Sequence, residues 1–220
     1  MSTKLLIFDL DGTLADTLIT IRDSVNMALE KHQLPLRTYD EVMWAIGNGA
    51  RELMRRSVPT ELSTDQDFID RIYEDYTEAY NKTFANIDGC YPFVSEVLHT
   101  LKERGYTLAV LSNKPDFYTR IIVEALFPDG IISFAAGQTS LPRKPDPTVP
   151  LMIAERFGVS PQECAFIGDS DVDVMTAKNS GMTAVACSWG YRPKEALLDA
   201  DYIIDDAREL LSIFKQANTK

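Results

Sequence analysis

Cysteine and histidine are scarce in this chain of 220 residues, which holds three of the first and two of the second. Cys90, Cys164 and Cys187 form no CxxC pair, so a zinc ribbon and a disulfide-stapled scaffold are excluded. Free thiols in a reducing compartment are expected. No stretch approaches the ~18 apolar residues that a membrane helix needs. The opening MSTKLLIFDLDG is too short an apolar run for a signal peptide and meets acidic residues at once. Both absences predict a cytoplasmic protein without a membrane partner. Basic residues are few as well: 22 against 33 acidic ones, a net charge of −11. A protein that tracks nucleic-acid phosphates shows the opposite balance, so no nucleic-acid partner is expected. An anionic substrate would be repelled unless a local cation offset the field.

What remains is ordinary globular material, 45% hydrophobic and 25% charged. A chain of this length buries roughly 70% of its unfolded surface, enough for a core of its own. A monomer or a homodimer is expected.

Short apolar runs alternate with helical spacing. Residues 4–8 (KLLIF), 108–111 (LAVL), 165–167 (AFI), 183–186 (TAVA) and 202–204 (YII) read as buried strands, with a weaker one over 132–136. Near-continuous apolar character fits a parallel sheet covered on both faces. Helical stripes cover 94–101, 118–126, 149–157, 172–180 and 207–215, and Gly158 and Gly181 stand where helix-ending residues belong. Alternation of this kind predicts a doubly wound α/β fold. Residues 15–87 do not alternate: helical patterns at 18–29, 41–46, 51–56 and 67–84 follow one another with no strand between. That is too long for a plain crossover and predicts an inserted helical cap, leaving 1–14 and 88–220 as the core.

In open parallel sheets, ligands sit beyond the carboxyl ends of the strands. Four features cluster there. Asp9 and Asp11, in FDLDGT, follow the first strand; one carboxylate can attack an electrophile while the other handles a proton. Gly12 permits an unusual backbone angle and Thr13 can tie down the loop, although Asp-Gly is also a common turn pair. Ser112 and Asn113 follow LAVL and can donate to a phosphoryl oxygen, or simply form a turn. Lys144 stands in RKPDP, whose prolines restrict the backbone and suit holding one cation against two anions. Gly168-Asp169-Ser170-Asp171-Val172-Asp173 follows AFI and offers hard oxygen ligands suited to Mg²⁺. Asp171 fits a helix N-terminal carboxylate.

DLDGT, Ser112, Lys144 and the GDxxxD pattern, in this order and each behind a strand, resemble the four motifs of the haloacid dehalogenase superfamily. The resemblance implies a Rossmann-like core with an inserted α-helical cap, and Mg²⁺-dependent chemistry on a small-molecule phosphate monoester. It implies that Asp9 attacks phosphorus to form an aspartyl-phosphate. Asp11 would protonate the leaving oxygen and then activate water, which asks for surroundings that raise its pKa. Mg²⁺ would be held by Asp9, the Asp11 carbonyl and Asp169, with Asp173 and Ser170 behind them. A true dehalogenase lacks an acid at the Asp11 position. The GNGA segment at 47–50, SNKP at 112–115 and KPDP are similar to the phosphoglycolate phosphatase branch. There Arg51 and the helix start beside it could meet a substrate carboxylate, or form a solvated helix–helix turn. Phe93, in YPFV, departs from that branch, which commonly has Gly after the Pro.

Two other classes stay open. The same core serves sugar-phosphate phosphatases and β-phosphoglucomutase-like phosphotransferases. Phosphonoacetaldehyde hydrolase needs a cap lysine, and Lys31 and Lys82, in no supporting context, are the lysines between residues 15 and 87. A catalytically silent binding module is opposed by the intact set Asp9, Asp11, Lys144 and Asp169. His32 and His99 read as ordinary surface residues.

Overall fold

A computed structural model describes residues 3–84, 86 and 89–215. The chain divides into two compact units, Met1–Ala15 with Gly89–Lys220, and Asp16–Asp88.

The first unit is built on six parallel strands: β1 (Leu5–Phe8), β2 (Thr107–Pro115), β3 (Phe134–Gln138), β4 (Cys164–Gly168), β5 (Thr183–Cys187) and β6 (Tyr202–Ile204). Their order is β3-β2-β1-β4-β5-β6. The chain leaves β1 to one side for β2 and returns to the other for β4, so the strand order reverses between β1 and β4. That reversal opens a crevice at the carboxyl ends. Phe8 pairs with Val110 on one side and Ile167 on the other, which aligns the ends of the three central strands.

β1 (LLIF) and β4 (CAFIG) are buried along their whole length because both faces of the sheet are covered. In the second unit, helices α1 (Leu18–Lys31), α2 (Tyr39–Ala45), α3 (Ala50–Ser57) and α4 (Gln66–Thr83) follow one another. Back in the first unit come α5 (Val94–Glu103), α6 (Asp116–Leu126), α7 (Thr148–Arg156), α8 (Asp171–Ser180) and α9 (Leu210–Ile213). Leu5, Ile7 and Phe166 pack with Ile153 and Ala154 of α7 and Val174 and Ala177 of α8. Phe8 and Ile167 turn to the opposite face, where Val94, Val97 and Leu98 of α5 and Leu210 of α9 line a small cavity.

Two elements depart from expectation. The third strand lies at 134–138, not 132–136, and the helix expected over 207–215 is a 3-10 turn, Ala207–Glu209, followed by the short α9. Asp206 caps that turn by accepting from the Arg208 N–H at 2.8 Å. No described helix is long and apolar enough to cross a membrane.

Candidate active site

The loop after β1 is tied back on itself. The Leu10 carbonyl accepts from the Leu14 and Ala15 N–H groups at 3.0 and 3.1 Å, and the Gly12 N–H donates to Ala15 at 3.0 Å. The Asp9 N–H still belongs to the sheet, donating to the Ile167 carbonyl of β4 at 2.8 Å. Asp9 is therefore fixed at the crevice between β1 and β4 by its backbone.

Its side chain meets Lys144, whose Nζ lies 2.8 Å from Asp9 Oδ1 and 2.7 Å from Asp173 Oδ1. All three side chains are buried. Burial above all pushes the Asp9 carboxyl up, against the pull of Lys144, and the Asp173 and Asp11 charges push the same way. Burial acts against the Lys144 charge too, but Asp173 and Asp9 outweigh it and hold the ammonium well above the ordinary lysine value.

Asp169 stands one residue past β4. Its Oδ1 accepts from the Thr13 hydroxyl at 3.1 Å and its Oδ2 from the Tyr191 N–H at 2.7 Å. Burial first, then the charges of Asp173 and Asp9, push Asp169 up. Gly12, at φ 87°, and Gly190 crowd this carboxylate so closely that a Cβ on either would overlap it.

Asp173 sits in the first turn of α8 because Ser170 caps that helix. The Ser170 hydroxyl accepts from the Asp173 N–H at 3.3 Å, while Asp173 Oδ2 accepts from the Ser170 N–H and hydroxyl at 3.1 and 2.6 Å. Asp171 stays outside, 57% exposed and 3.9 Å from the Arg192 guanidinium.

Oxygen atoms of Asp9, Asp169 and Asp173 all lie within 4.8 Å of one another. An all-oxygen donor set is what a hard divalent cation takes. Four carboxylates, those three and Asp11, face two ammonium groups, Lys144 and Lys114, so the charge balance also suits a dication. A divalent cation here would return Asp9 and Asp169 to their ionised forms. The residues present fit such an ion, with Asp9 and Asp169 as its carboxylates and Asp173 already engaged by Lys144 and Ser170.

Two of the expected residues have further partners inside the site. Asn113, read as a phosphate donor, spends its amide on Lys144: Nδ2 donates to the Lys144 carbonyl at 3.1 Å and Oδ1 accepts its N–H at 2.9 Å. It braces the lysine's backbone. Asp11 has the Lys114 ammonium 2.8 Å from its Oδ1. Ser112 accepts the Lys114 N–H at 3.2 Å, which leaves its own hydroxyl hydrogen to donate. Arg51 lies in α3, in the helical unit, ion-paired with Asp70 of α4. His32 is no idle surface residue either: half-buried, its Nε2 meets Asp75 Oδ2 at 2.6 Å.

Sequence reasoning missed Lys114, the Tyr191 N–H and Trp189, whose indole N–H donates to the Thr13 carbonyl at 3.2 Å. For Trp189 alone, the run SWGY directly after β5 was an available signal. Burial pushes the Cys90 and Cys164 thiols up to about 11 and 12, and Cys187 rises as well, so none is a ready thiolate.

The model of the haloacid dehalogenase-like hydrolases matches residues 6–187. The phosphoglycolate phosphatase of Mannheimia succiniciproducens is 35% identical over 218 residues, which cover 96% of this chain and 97% of that one. The phosphoglycolate phosphatase of Pasteurella multocida is 33% identical over 220 residues, covering 96% and 98%. The crystal structure of a predicted phosphoglycolate phosphatase from Haemophilus somnus superposes with a TM-score of 0.89 at 34% identity, covering 97% and 98% of the two chains. Similarity at this level, running nearly from end to end, makes the chain a member of the haloacid dehalogenase-like hydrolases, in their phosphoglycolate phosphatase-like branch.

Proposed function

We propose that this hydrolase is a Mg²⁺-dependent phosphatase that cleaves 2-phosphoglycolate through an aspartyl-phosphate on Asp9. The observation that carries the reading is the buried Asp9 at the β1–β4 crevice, with Lys144 Nζ 2.8 Å from its Oδ1 and Asp169 beside it. Phosphoryl transfer needs little beyond positioning and charge stabilisation, which this cluster offers.

Held by Asp9, Asp169 and the Asp11 carbonyl, Mg²⁺ would supply positive charge where nucleophile and phosphate meet. An Asp9 oxygen attacks phosphorus as the P–O bond to the leaving group breaks, and Asp11 gives its proton to the departing oxygen. Asp11 then takes a proton from water, which attacks phosphorus, and the bond to Asp9 breaks to release inorganic phosphate. The Lys144 ammonium and the Ser112 hydroxyl serve the phosphoryl oxygens. Choice of substrate is assigned to the helical unit, with the GNGA segment and Arg51 as the candidate carboxylate site. The three free thiols agree with a cytoplasmic setting.

The test is a panel of phosphate monoesters with Mg²⁺, run on the wild type and on Asp9→Asn. We expect 2-phosphoglycolate to give the highest kcat/KM, and Asp9→Asn to lose at least about 10³-fold of it together with all covalently trapped phosphate. Substantial turnover by deamidation-free Asp9→Asn would remove the nucleophile assignment. A wild-type preference for sugar phosphates would move the protein to the sugar-phosphatase or mutase class.

A further inference from the structure

Lys114 is a buried ammonium that the reaction as described leaves without a task. Its side chain is 5% exposed, that of Asp11 is 11% exposed, and Lys114 Nζ lies 2.8 Å from Asp11 Oδ1. The pair is reached by register. β1 and β2 match up to Phe8 and Val110. Asp11 lies three residues past that match and Lys114 four, so the lysine at the end of β2 reaches across to the loop after β1. Its backbone is fixed on both sides: its N–H donates to the Ser112 hydroxyl at 3.2 Å and its carbonyl accepts from the Thr119 hydroxyl at 3.2 Å. The backbone contacts fix where the side chain starts, and burial leaves it few rotamers to lose when the pair forms.

Resting on the phosphatase reading above, we propose that Lys114 is a positioning residue for Asp11: by holding Oδ1 it fixes the carboxyl that serves the leaving group. The ammonium then faces the negative charge left on Asp11 once its proton has gone to the leaving oxygen. A neighbour that acts only through Asp11 can matter no more than Asp11 does. Its effect should be large where the leaving oxygen needs a proton and small where it does not. A lysine that touched the phosphoryl group, or merely held β2 in place, would affect all esters alike.

The experiment compares single-turnover phosphorylation of Asp9 by 2-phosphoglycolate, a poor leaving group, and by p-nitrophenyl phosphate, a good one. Lys114→Met keeps the length and removes the charge. We expect it to slow the first by about 10- to 100-fold, a part of what general acid catalysis supplies, and the second by less than about 3-fold. In the Asp11→Ala background, Lys114→Met should have no further effect on either ester. Should Lys114→Met not fold, as judged by its melting curve, Lys114→Gln carries the same comparison. Equal losses on both esters, or an undiminished loss in the Asp11→Ala background, overturn the proposal while leaving the phosphatase reading intact. A wild type that phosphorylates Asp9 with neither ester overturns both.

Discussion

Asp173 is divided between two partners: its Oδ1 lies 2.7 Å from Lys144 Nζ, and its Oδ2 accepts the Ser170 hydroxyl at 2.6 Å. One carboxylate thus aims the site's lysine and closes the first turn of α8. Removing one member of a buried ion pair costs about 3–5 kcal/mol, because the other charge stays buried. Losing a helix cap costs about 1 kcal/mol. Relief of repulsion with Asp169 and Asp9 offsets part of the first figure. Asp173→Ala should therefore lower stability by about 3 kcal/mol in urea titrations, and Ser170→Ala by about 1 kcal/mol, with unchanged m-values. Asp173→Ala costing no more than Ser170→Ala would show that Lys144 does not depend on it.

Asp9 and Asp169 could be found in the sequence because each follows an apolar run, and LLIF and AFI are apolar without interruption because both sheet faces are covered. The end of the chain was harder. Asp206 and Glu209 close a 3-10 turn through their side chains, which the apolar spacing does not report. Lys114 was equally hidden, since its partner lies 103 residues away and only strand register joins them. The Tyr191 N–H has no sequence signature at all, because a backbone donor belongs to every residue but proline.

Metal binding should be visible without turnover. Asp9 and Asp169 are both pushed up by burial first and by the charge of Asp173, so an ion that restores both carboxylates binds the folded state alone. Mg²⁺ at about 100 times its Kd should add about 2.7 kcal/mol of stability, read as a rise in melting temperature that EDTA reverses. Asp169→Asn should abolish the rise. Activity should need Mg²⁺, and Ca²⁺, with its looser geometry and larger ligand number, should inhibit. A melting temperature indifferent to Mg²⁺, or full activity after exhaustive chelation, would count against the metal site.

His99 gives the protein a titration outside the site. Its Nδ1 meets the Ser95 carbonyl at 2.7 Å and its Nε2 meets Asp129 Oδ2 at 2.5 Å, so both ring N–H groups of the imidazolium find acceptors. The Ser95 carbonyl first, and then Asp129, raise its pKa above the ordinary value of about 6.5. A group raised on folding stabilises the fold fully below its unfolded pKa, and that contribution is lost as pH rises through the folded pKa. The pair should therefore support the fold below about pH 6.5 and cease to do so at higher pH. NMR titration of the ring, assigned with His99→Gln, should place its midpoint above that of a model histidine, and Asp129→Asn should bring it down. A midpoint at or below the ordinary histidine value of about 6.5 would refute the pairing.

Phe93 carries the one departure from the branch pattern for which the structure offers a measurable consequence. It takes the left-handed conformation at φ 63°, directly before α5, a region that costs a residue with a Cβ roughly 1–2 kcal/mol. Its ring is compensated in part by the Arg208 guanidinium, 3.9 Å from the ring centroid, a contact worth about 0.5–1 kcal/mol at a half-exposed position. Phe93→Ala keeps the backbone penalty and loses the ring, so it should be destabilised by about 0.5–1 kcal/mol. Phe93→Gly loses the same ring but removes the penalty, against about 0.4–1 kcal/mol of extra chain entropy in the unfolded state. Glycine should thus be more stable than alanine at this position by roughly 1 kcal/mol, and within about 1 kcal/mol of the wild type. In an Arg208→Ala background, the cost of Phe93→Ala should shrink toward zero, since the ring then has no cation to meet. Urea denaturation of the five proteins decides the matter: alanine equal to or better than glycine would mean that the left-handed backbone is not what residue 93 imposes on the start of α5.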